Sequence, residues 1–455
     1  MHRYLTTPIR TLIVGAALVA VACAKGDKPV ADTSAKSTPA AALDACAGDN
    51  GGLTLPAGFC ATVFADSLGH VRHLVVAANG DVYANTWSGK YYDEGTTPPA
   101  PFLIAMRDKN HDGRADVIKR FGDSLANGGA GGTGIALYKG GLYAESKDKI
   151  VRYALDSGLA PSGEPTTIVG GLPINGDHPM HPFVIDSTGQ IFMDVGSRTN
   201  SCQEKNRTLK SPGLNPCTEL QTRAGIWSYD ANATGQTFSP AGLYATGIRN
   251  AVGIAFDPTG QLYSTQHGRD QLSDNWPGLY TPQQGADLPA EELLKIVKGG
   301  DYGWPMCYFD STQKKLVLAP EYGGDGGKKV GACDKKIEPE KFFPAHWAPD
   351  GLVFYNGKLF PPQYKGGAFI SFHGSWNRAP KPQGGYLVAF VPFANGSHQG
   401  EYEIFANDFA GTPNPQPTTA KYRPTGLAVA PDGSLYVTDD VHGRIWHITY
   451  KENSK

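Results

Sequence analysis

None of the seven cysteines stands in a Cys-x-x-Cys or Cys-x-x-Cys-His motif, which removes the local signatures of structural zinc and of covalently attached haem. No Gly-x-Ser-x-Gly and no His-Glu-x-x-His occurs either, so nucleophilic-serine and zinc-protease chemistry lack local support. Charge of one sign is not in excess: 41 basic and 43 acidic residues leave a formal net of -2, with no Lys/Arg stripe. That excludes a nucleic-acid partner of the usual electrostatic kind. The apolar run from Thr11 to Ala22 is too short for a stable bilayer span. Helical patterning is scarce as well. One stretch, ADLPAEELLKIVKGG (286–300), reads as a single inserted helix, with Asp287 as cap, Pro289 in the first turn, acids early, lysines late, and Gly299 and Gly300 as the stop.

What is present is a repeat. LVVAANGDVYAN (74–85), IALYKGGLYAES (135–146), FVIDSTGQIFMDVG (183–196), IAFDPTGQLYSTQHG (254–268), LVFYNGKLF (352–360) and LAVAPDGSLYVTDD (427–440) each join two apolar-alternating runs through a glycine turn. Period-two alternation makes a half-buried strand, and the glycine supplies the positive φ of a tight hairpin. The turn glycines are read as Gly80, Gly141, Gly189, Gly260, Gly357 and Gly433. Their spacing of roughly 50 to 100 residues suits one four-stranded blade plus insertions. The expected fold is all-β, a six-bladed propeller over residues 46–455, closed by pairing ATVFA (61–65) with RIWHITY (444–450) so that no edge strand is left.

Residues 1–22 read as a targeting segment, with Arg3 and Arg10 flanking the entry to the apolar run. Ala20-Val21-Ala22-Cys23 resembles a bacterial lipoprotein cleavage site; an ordinary secretory signal is the alternative. Cys23 would carry the lipid, and residues 23–45, rich in Lys, Ala, Ser, Thr and Pro, would tether the domain to a membrane. Ala24 in place of an aspartate points to the outer membrane, periplasmic side. The six remaining cysteines allow fifteen pairings. The sequential one, Cys46/Cys60, Cys202/Cys217 and Cys307/Cys333, closes three short loops in insertions or at the chain start, where bridges tie down segments without a core in an exported protein.

Loops entering the inner strands of a propeller gather at one mouth, so equivalent positions converge there. Eleven residues before the assigned turn glycine stand His178, Arg249 and His346; eight before stand Arg72, Thr133 and His181. Imidazole and guanidinium are costly to bury unpaired, so their recurrence points to a polar site at the mouth. In Asp177-His178 a neutral imidazole can take a hydroxyl proton while the carboxylate orients it or the substrate. Arg249-Asn250 offers a bidentate donor for an anion. In His267-Gly268-Arg269-Asp270 the glycine lets carbonyls turn toward a ligand or hard cation.

Several blocks taken in order resemble the glucose/sorbosone dehydrogenase family, nearest its sorbosone-type branch: GDH (176–178), GIRNAVGIAFDPTGQLY (247–263), QHG (266–268), GGDYGWP (299–305), FHGSWNR (372–378) and YRPTGLAVAPDGSLYVTDD (422–440). The resemblance covers roughly residues 55 to 450. It implies soluble-domain enzymes that use pyrroloquinoline quinone and calcium on a six-bladed propeller. By position, His178 matches the general base, Asp177 its substrate-binding neighbour, Arg249 and Asn250 quinone contacts, and Arg423 a cation beside the cofactor carboxylates. Main-chain oxygens of Gly268 and Arg269 would hold calcium. The implied reaction is quinone-dependent oxidation of a sugar or sugar-derived aldehyde or alcohol, with an external electron acceptor. The chain departs from the glucose-oxidising pattern at Ser197 (for an aspartate) and Thr425 (for a second arginine), and lacks an identifiable quinone-contacting lysine, for which His373 and Arg378 are the nearby substitutes.

Three further signals stand beside these. Asp108, Asn110, Asp112 and Asp116 follow a calcium-loop spacing with Gly113 at position six, but Lys119 takes the acidic twelfth position, so a structural calcium and a solvated turn are both open. Gly129 to Gly134 spells GxGxxG, yet precedes a strand and no helix, which is the wrong setting for a dinucleotide. Tyr302, Trp304 and Trp376 are aromatic candidates for stacking on a cofactor or sugar ring, with blade packing as the alternative. Two rival functions remain: a calcium-dependent lactonase-like hydrolase, which would need several acidic side chains on one metal, and a non-catalytic propeller binding carbohydrate or a partner.

Overall fold

The computed structural model describes residues 46, 48–87, 101–123 and 132–451. Within them six antiparallel blades of four strands follow one another along the chain, and the sheet of blade 2 gains a fifth strand, Gln236–Thr237, paired parallel to Thr166–Gly170. Blade 1 is Val71–Val76, Val82–Thr86, Leu103–Arg107 and Val117–Phe121; blade 2 is Ile135–Tyr138, Gly141–Ser146, Lys149–Ala154 and Thr166–Gly170. Blade 3 is Phe183–Ile185, Gln190–Val195, Gly225–Asp230 and Leu243–Thr246; blade 4 is Ile254–Phe256, Leu262–Gln266, Glu291–Lys295 and Lys341–Phe343. Blade 5 is Pro349–Phe354, Ala368–Phe372, Leu387–Val391 and Glu403–Ala406. Blade 6 takes three strands from the C-terminal end, Pro424–Val429, Leu435–Asp439 and Ile445–Tyr450, and its outermost strand, Phe59–Ala65, from the other end of the chain. Phe59 lies opposite Tyr450 and Val63 opposite Trp446, so the ring closes through the segments expected to close it.

Hydrophobic cores form where neighbouring blades press together. Between blades 5 and 6 the ring of Phe59 lies 4.7 Å from that of Phe360 and 4.9 Å from that of Phe405, and burying each such ring contributes roughly 1.5–3 kcal/mol. A polar contact accompanies the apolar one. Five residues beyond each turn glycine the second strand carries a buried polar side chain, and in five blades it bonds the main chain of the next blade. Asn85 Nδ2 donates to Gly134 O at 2.9 Å, Glu145 accepts the His181 N–H at 2.9 Å, Thr265 Oγ1 donates to Pro349 O at 2.7 Å, Ser371 Oγ to Thr425 O, and Thr438 Oγ1 to Arg72 O at 2.5 Å. Asp194 fills the place in blade 3, facing Ala251 of blade 4, and burial holds its carboxyl well above the usual range. In those five blades main-chain groups near the axis are thereby satisfied without a second ladder.

Two details of the sequence reading are corrected. The glycines that turn the hairpins of blades 2 and 5 are Gly140 (φ +68°) and Gly366 (φ +80°). Gly141 already belongs to a strand, and Gly357 lies in a longer link anchored by Tyr355, whose ring stacks on Phe360 at 4.6 Å. The helix expected over 286–300 is not formed: Glu291–Lys295 is the third strand of blade 4. Blades cover both its faces, so Leu293 and Leu294 are both fully buried and alternation disappears from the sequence. Its acids have tertiary partners, Glu291 accepting the N–H groups of Gly268 and Ala348 and Glu292 accepting Gln266 Nε2. The short α-helices among the described residues are Leu272–Asn275 and Pro282–Asp287, the latter started by a Thr281/Gln284 capping box.

The disulfides are Cys46–Cys60, Cys202–Cys217 and Cys307–Cys333, the sequential set. Residues 1–45, with the targeting segment, Cys23 and the tether, lie outside the described residues, as do Gly129 to Gly131 of the GxGxxG run. No helix among the described residues is long and apolar enough to cross a membrane.

Candidate active site

His178 enters blade 3 four residues before Pro182, the residue whose carbonyl accepts the Asp194 N–H. Its Nδ1 lies 2.9 Å from Ser197 O and 3.0 Å from Ser197 Oγ. A carbonyl only accepts, and Ser197 Oγ spends its proton on Thr199 O at 2.6 Å, so Nδ1 must be the protonated nitrogen and Nε2 carries the free lone pair. Burial, then the nearby Arg249 charge, hold this imidazole well below its usual pKa, neutral and able to accept a proton. Gly196 makes the space: a Cβ there would stand 2.5 Å from the His178 Cβ and 3.2 Å from Asn250 Oδ1. Ser197, read from the sequence only as a missing aspartate, thus fixes the tautomer by itself.

Arg249 opens blade 4 at the equivalent depth, four residues before Gly253, and its carbonyl accepts the Ser197 N–H at 2.7 Å. The guanidinium donates through Nε to Asn200 O (3.1 Å), through Nη2 to Asn200 Oδ1 and Asp270 Oδ2 (both 3.0 Å), and through Nη1 to Gly268 O (3.0 Å). Burial would raise the Asp270 carboxyl, but Arg249 and Arg207 outweigh it and hold it down at about 2. Arg207 bridges the two carboxylates, Nε to Asp177 Oδ2 and Nη2 to Asp270 Oδ2, each at 3.0 Å. Asp177 is therefore already ion-paired. His178, Asp177, Arg249, Asn250 and Gly268 form one connected group; of the three residues read in one register, His178 and Arg249 share a depth, while His346 is near them but one position out, with Nε2 donating to Gly285 O at 2.9 Å.

Across the pocket, Asn377 Nδ2 reaches Asp270 Oδ1 at 3.0 Å and brings the blade 5 loop carrying Arg378 to the same carboxylate. Arg378 itself donates to Ala345 O at 2.7 Å. Arg423 donates to His373 O (3.1 Å) and Gly374 O (2.8 Å), lies 5.7 Å over the Tyr386 ring, and forms no ion pair among the described residues. Between these walls lies a charge cluster that the sequence reading did not assemble. Arg72 pairs with Asp350 (3.0 Å) and Asp440 (2.5 Å), His267 Nε2 meets Asp350 at 3.1 Å, and His373 Nε2 meets Asp440 at 2.7 Å. Burial alone would raise both carboxyls, yet Arg72 and the imidazoles hold them far below their usual range. With Gly366 as the blade 5 turn, His267, His373 and Asp440 all stand seven residues past a turn glycine, a signal hidden by the Gly357 assignment.

The other candidates sort differently. Thr425 is fully buried and bonded to Thr438 Oγ1 at 2.8 Å, a structural place at the channel. Tyr302 is buried with its hydroxyl on Lys295 O, which is blade packing. Trp304 gives its indole N–H to Asn200 O at 3.1 Å and packs on the Cys202–Cys217 bridge behind Arg249. There it helps line a cavity of about 20 Å3, room for one water. Trp376 is 53% exposed beside Asn377. Asp108, Asn110, Asp112 and Asp116 turn oxygens onto their own loop's N–H groups, and the loop packs on the blade 6 edge, where the Phe64 carbonyl accepts the Ala115 N–H.

An anionic planar cofactor fits these residues. The Arg423 guanidinium donates to main-chain carbonyls, Arg249 of blade 4 brings a second guanidinium, and His178 leaves Nε2 as the acceptor nitrogen. A hard cation fits the oxygens around Gly268, which already hold a positive group, the Arg249 guanidinium. Among the described residues no three His, Cys, Asp or Glu side chains are placed to hold a metal ion, so a cation there would rest on main-chain and amide oxygens with the single Asp270 carboxylate.

Over 240 residues the chain is 28% identical to the pyrroloquinoline quinone-dependent pyranose dehydrogenase of Coprinopsis cinerea, covering 44% of this chain and 30% of that one. It is 25% identical over 172 residues to quinoprotein glucose dehydrogenase B of Acinetobacter calcoaceticus, covering 34% and 32%. An uncharacterised protein of Borreliella burgdorferi is 28% identical over 220 residues, 46% of this chain and 49% of its own length. The chain thus spans about half or less of these curated relatives. The fold is shared with the iodide structure of the Trichoderma reesei family AA12 carbohydrate-active enzyme (TM-score 0.69, 19% identity, 88% of this chain and 98% of that one). It is shared too with the holo form of the Coprinopsis cinerea pyranose dehydrogenase PQQ domain (TM-score 0.65, 20% identity, 87% and 97%). The sequence pattern of the TrAA12-like family matches residues 125–451, and the chain belongs to that family.

Proposed function

We propose that the protein oxidises a sugar or sugar-derived alcohol or aldehyde with pyrroloquinoline quinone as cofactor. The observation that carries this is His178, buried and neutral, with Nδ1–H pinned on Ser197 and Nε2 left to accept a proton among arginines drawn from other blades. When bound, the quinone supplies a two-electron hydride acceptor. His178 takes the substrate hydroxyl proton at Nε2, and Ser197 keeps the ring oriented as it becomes charged. Arg249, Asn250 and Arg423 would hold the anionic cofactor, with Arg378 and Trp304 behind them; calcium would sit on the main-chain oxygens of Gly268 and Arg269 and act as a Lewis acid. Asp177, tied to Arg207, shapes the wall beside the base. An external acceptor would take the electrons from the reduced quinone.

Sorbosone-type substrates, export and lipid anchoring through Cys23 belong to the same proposal; three disulfides favour an oxidising compartment. The test is to add quinone and calcium to stripped protein, follow the bound-cofactor absorbance, and measure dye reduction over a sugar panel. Absorbance with reduction supports the reading; neither removes it and leaves the non-catalytic propeller. His178→Ala should lower turnover about 10²–10⁴-fold while cofactor uptake persists, and unchanged turnover dismisses the base.

A further inference from the structure

Five oxygens converge on the side chain of Arg249. Asn200 O, Asn200 Oδ1, Asp270 Oδ2 and Gly268 O lie 3.0–3.1 Å from its nitrogens, and His267 O lies 3.5 Å from Nη1. They come from two separate insertions, the blade 3 loop carrying Asn200 and the blade 4 loop carrying residues 267–270. Main-chain carbonyls, an amide oxygen and one carboxylate make up the donor chemistry that a hard divalent cation selects. The cradle is braced from behind. Asn200 O also accepts the Trp304 indole, Asn200 Oδ1 accepts the Asp270 N–H, and Asn200 Nδ2 donates to Asp270 O. On its far side Arg269 is fixed by Glu321, whose Oε1 it meets at 2.5 Å and which also takes Trp276 Nε1 at 2.9 Å. Oxygens so fixed stay in place when their occupant leaves.

We propose that Arg249 is a placeholder cation. While the pocket holds no anion, the guanidinium fills the oxygen cradle and keeps a divalent ion off Gly268 O, because the two would bring like charges onto one carbonyl. An anionic cofactor offers the guanidinium a better partner, draws it off Gly268, and opens that oxygen to the metal. Metal and cofactor then load cooperatively, each raising the affinity of the other. The cofactor half of this inference rests on the proposed function; the exclusion of metal by Arg249 stands independently of it.

The test is calcium binding by equilibrium dialysis to chelator-stripped full-length chain carrying Asp108→Ala and Asp112→Ala, which silence the 108–116 loop. Without quinone, this protein is expected to bind calcium weakly. Adding pyrroloquinoline quinone, or introducing Arg249→Gln without quinone, is expected to tighten binding by about tenfold or more. Arg249→Lys, which keeps the charge, is expected to bind as weakly as its parent. Equal calcium affinity with and without quinone and in Arg249→Gln overturns the proposal, and so does tight binding by the parent alone. Should Arg249→Gln melt early, the quinone arm on the parent decides. Should quinone fail to bind, the proposed cofactor falls, while tighter calcium in Arg249→Gln still upholds the placeholder and unaltered calcium overturns it.

Discussion

Five residues past the hairpin glycine and seven past it, the same six strands do different work. At the fifth position stand Asn85, Glu145, Asp194, Thr265, Ser371 and Thr438, and in five blades the side chain bonds main chain of the following blade. At the seventh stand Trp87, Lys147, Gly196, His267, His373 and Asp440. There, side chains of blades 4 to 6 join one another through Arg72 and Asp350, and the glycine of blade 3 makes room for His178. A polar residue that satisfies backbone holds the ring together. One that meets other charged side chains from distant blades builds the pocket.

Substitutions at the two positions should separate these roles. The largest stability loss is expected from Asp440→Ala, about 3–5 kcal/mol, because Arg72 and His373 lose a buried partner; a melting temperature unchanged from wild type would mean that the pocket floor carries no such charge pairing. Gly196→Ala should come next, lowering turnover by about tenfold to a hundredfold through displacement of His178, a 1 Å misplacement being enough for that, while melting shifts little. Full activity there would show the Gly196 opening to be incidental. Ser371→Ala, at the fifth position, should cost roughly 1–3 kcal/mol by leaving the Thr425 carbonyl unsatisfied and leave turnover per folded molecule intact; a turnover defect would blur the distinction. The smallest effect is in the pH profile. Since His178 is held below its usual value near 6.5, the deprotonated base persists as pH falls, and kcat/KM should stay flat from about pH 8 to 6, whereas an ordinary imidazole would halve near 6.5. A midpoint at that pH would contradict the buried, neutral base.

The ring, its closure and the six hairpins could be read from alternation and turn glycines, because antiparallel strands with one covered face leave that pattern. The third strand of blade 4 could not: Leu293 and Leu294 are buried on opposite faces, and EELLK with lysines behind it satisfies every local helix rule. At the site, His178 and Arg249 were legible because both hairpins turn on a simple Thr-Gly. Asp350 and Asp440 were not, since their partners come from blades 1, 4 and 5 and only closure of the ring brings them together. Asn200 and Arg207 sit in an insertion without periodicity, held by the Cys202–Cys217 bridge, and nothing local marks them. Ser197 shows the reverse limit: a departure from a motif said what was missing, while its carbonyl and hydroxyl both meet His178 Nδ1.

A crystal structure of the stripped protein soaked with pyrroloquinoline quinone tests the central claim most directly. The account predicts quinone density in the mouth, its anionic groups on Arg249 and Arg423 and its reactive face toward His178 Nε2. Density elsewhere on the propeller, or a mouth without quinone at saturating concentration, would contradict it.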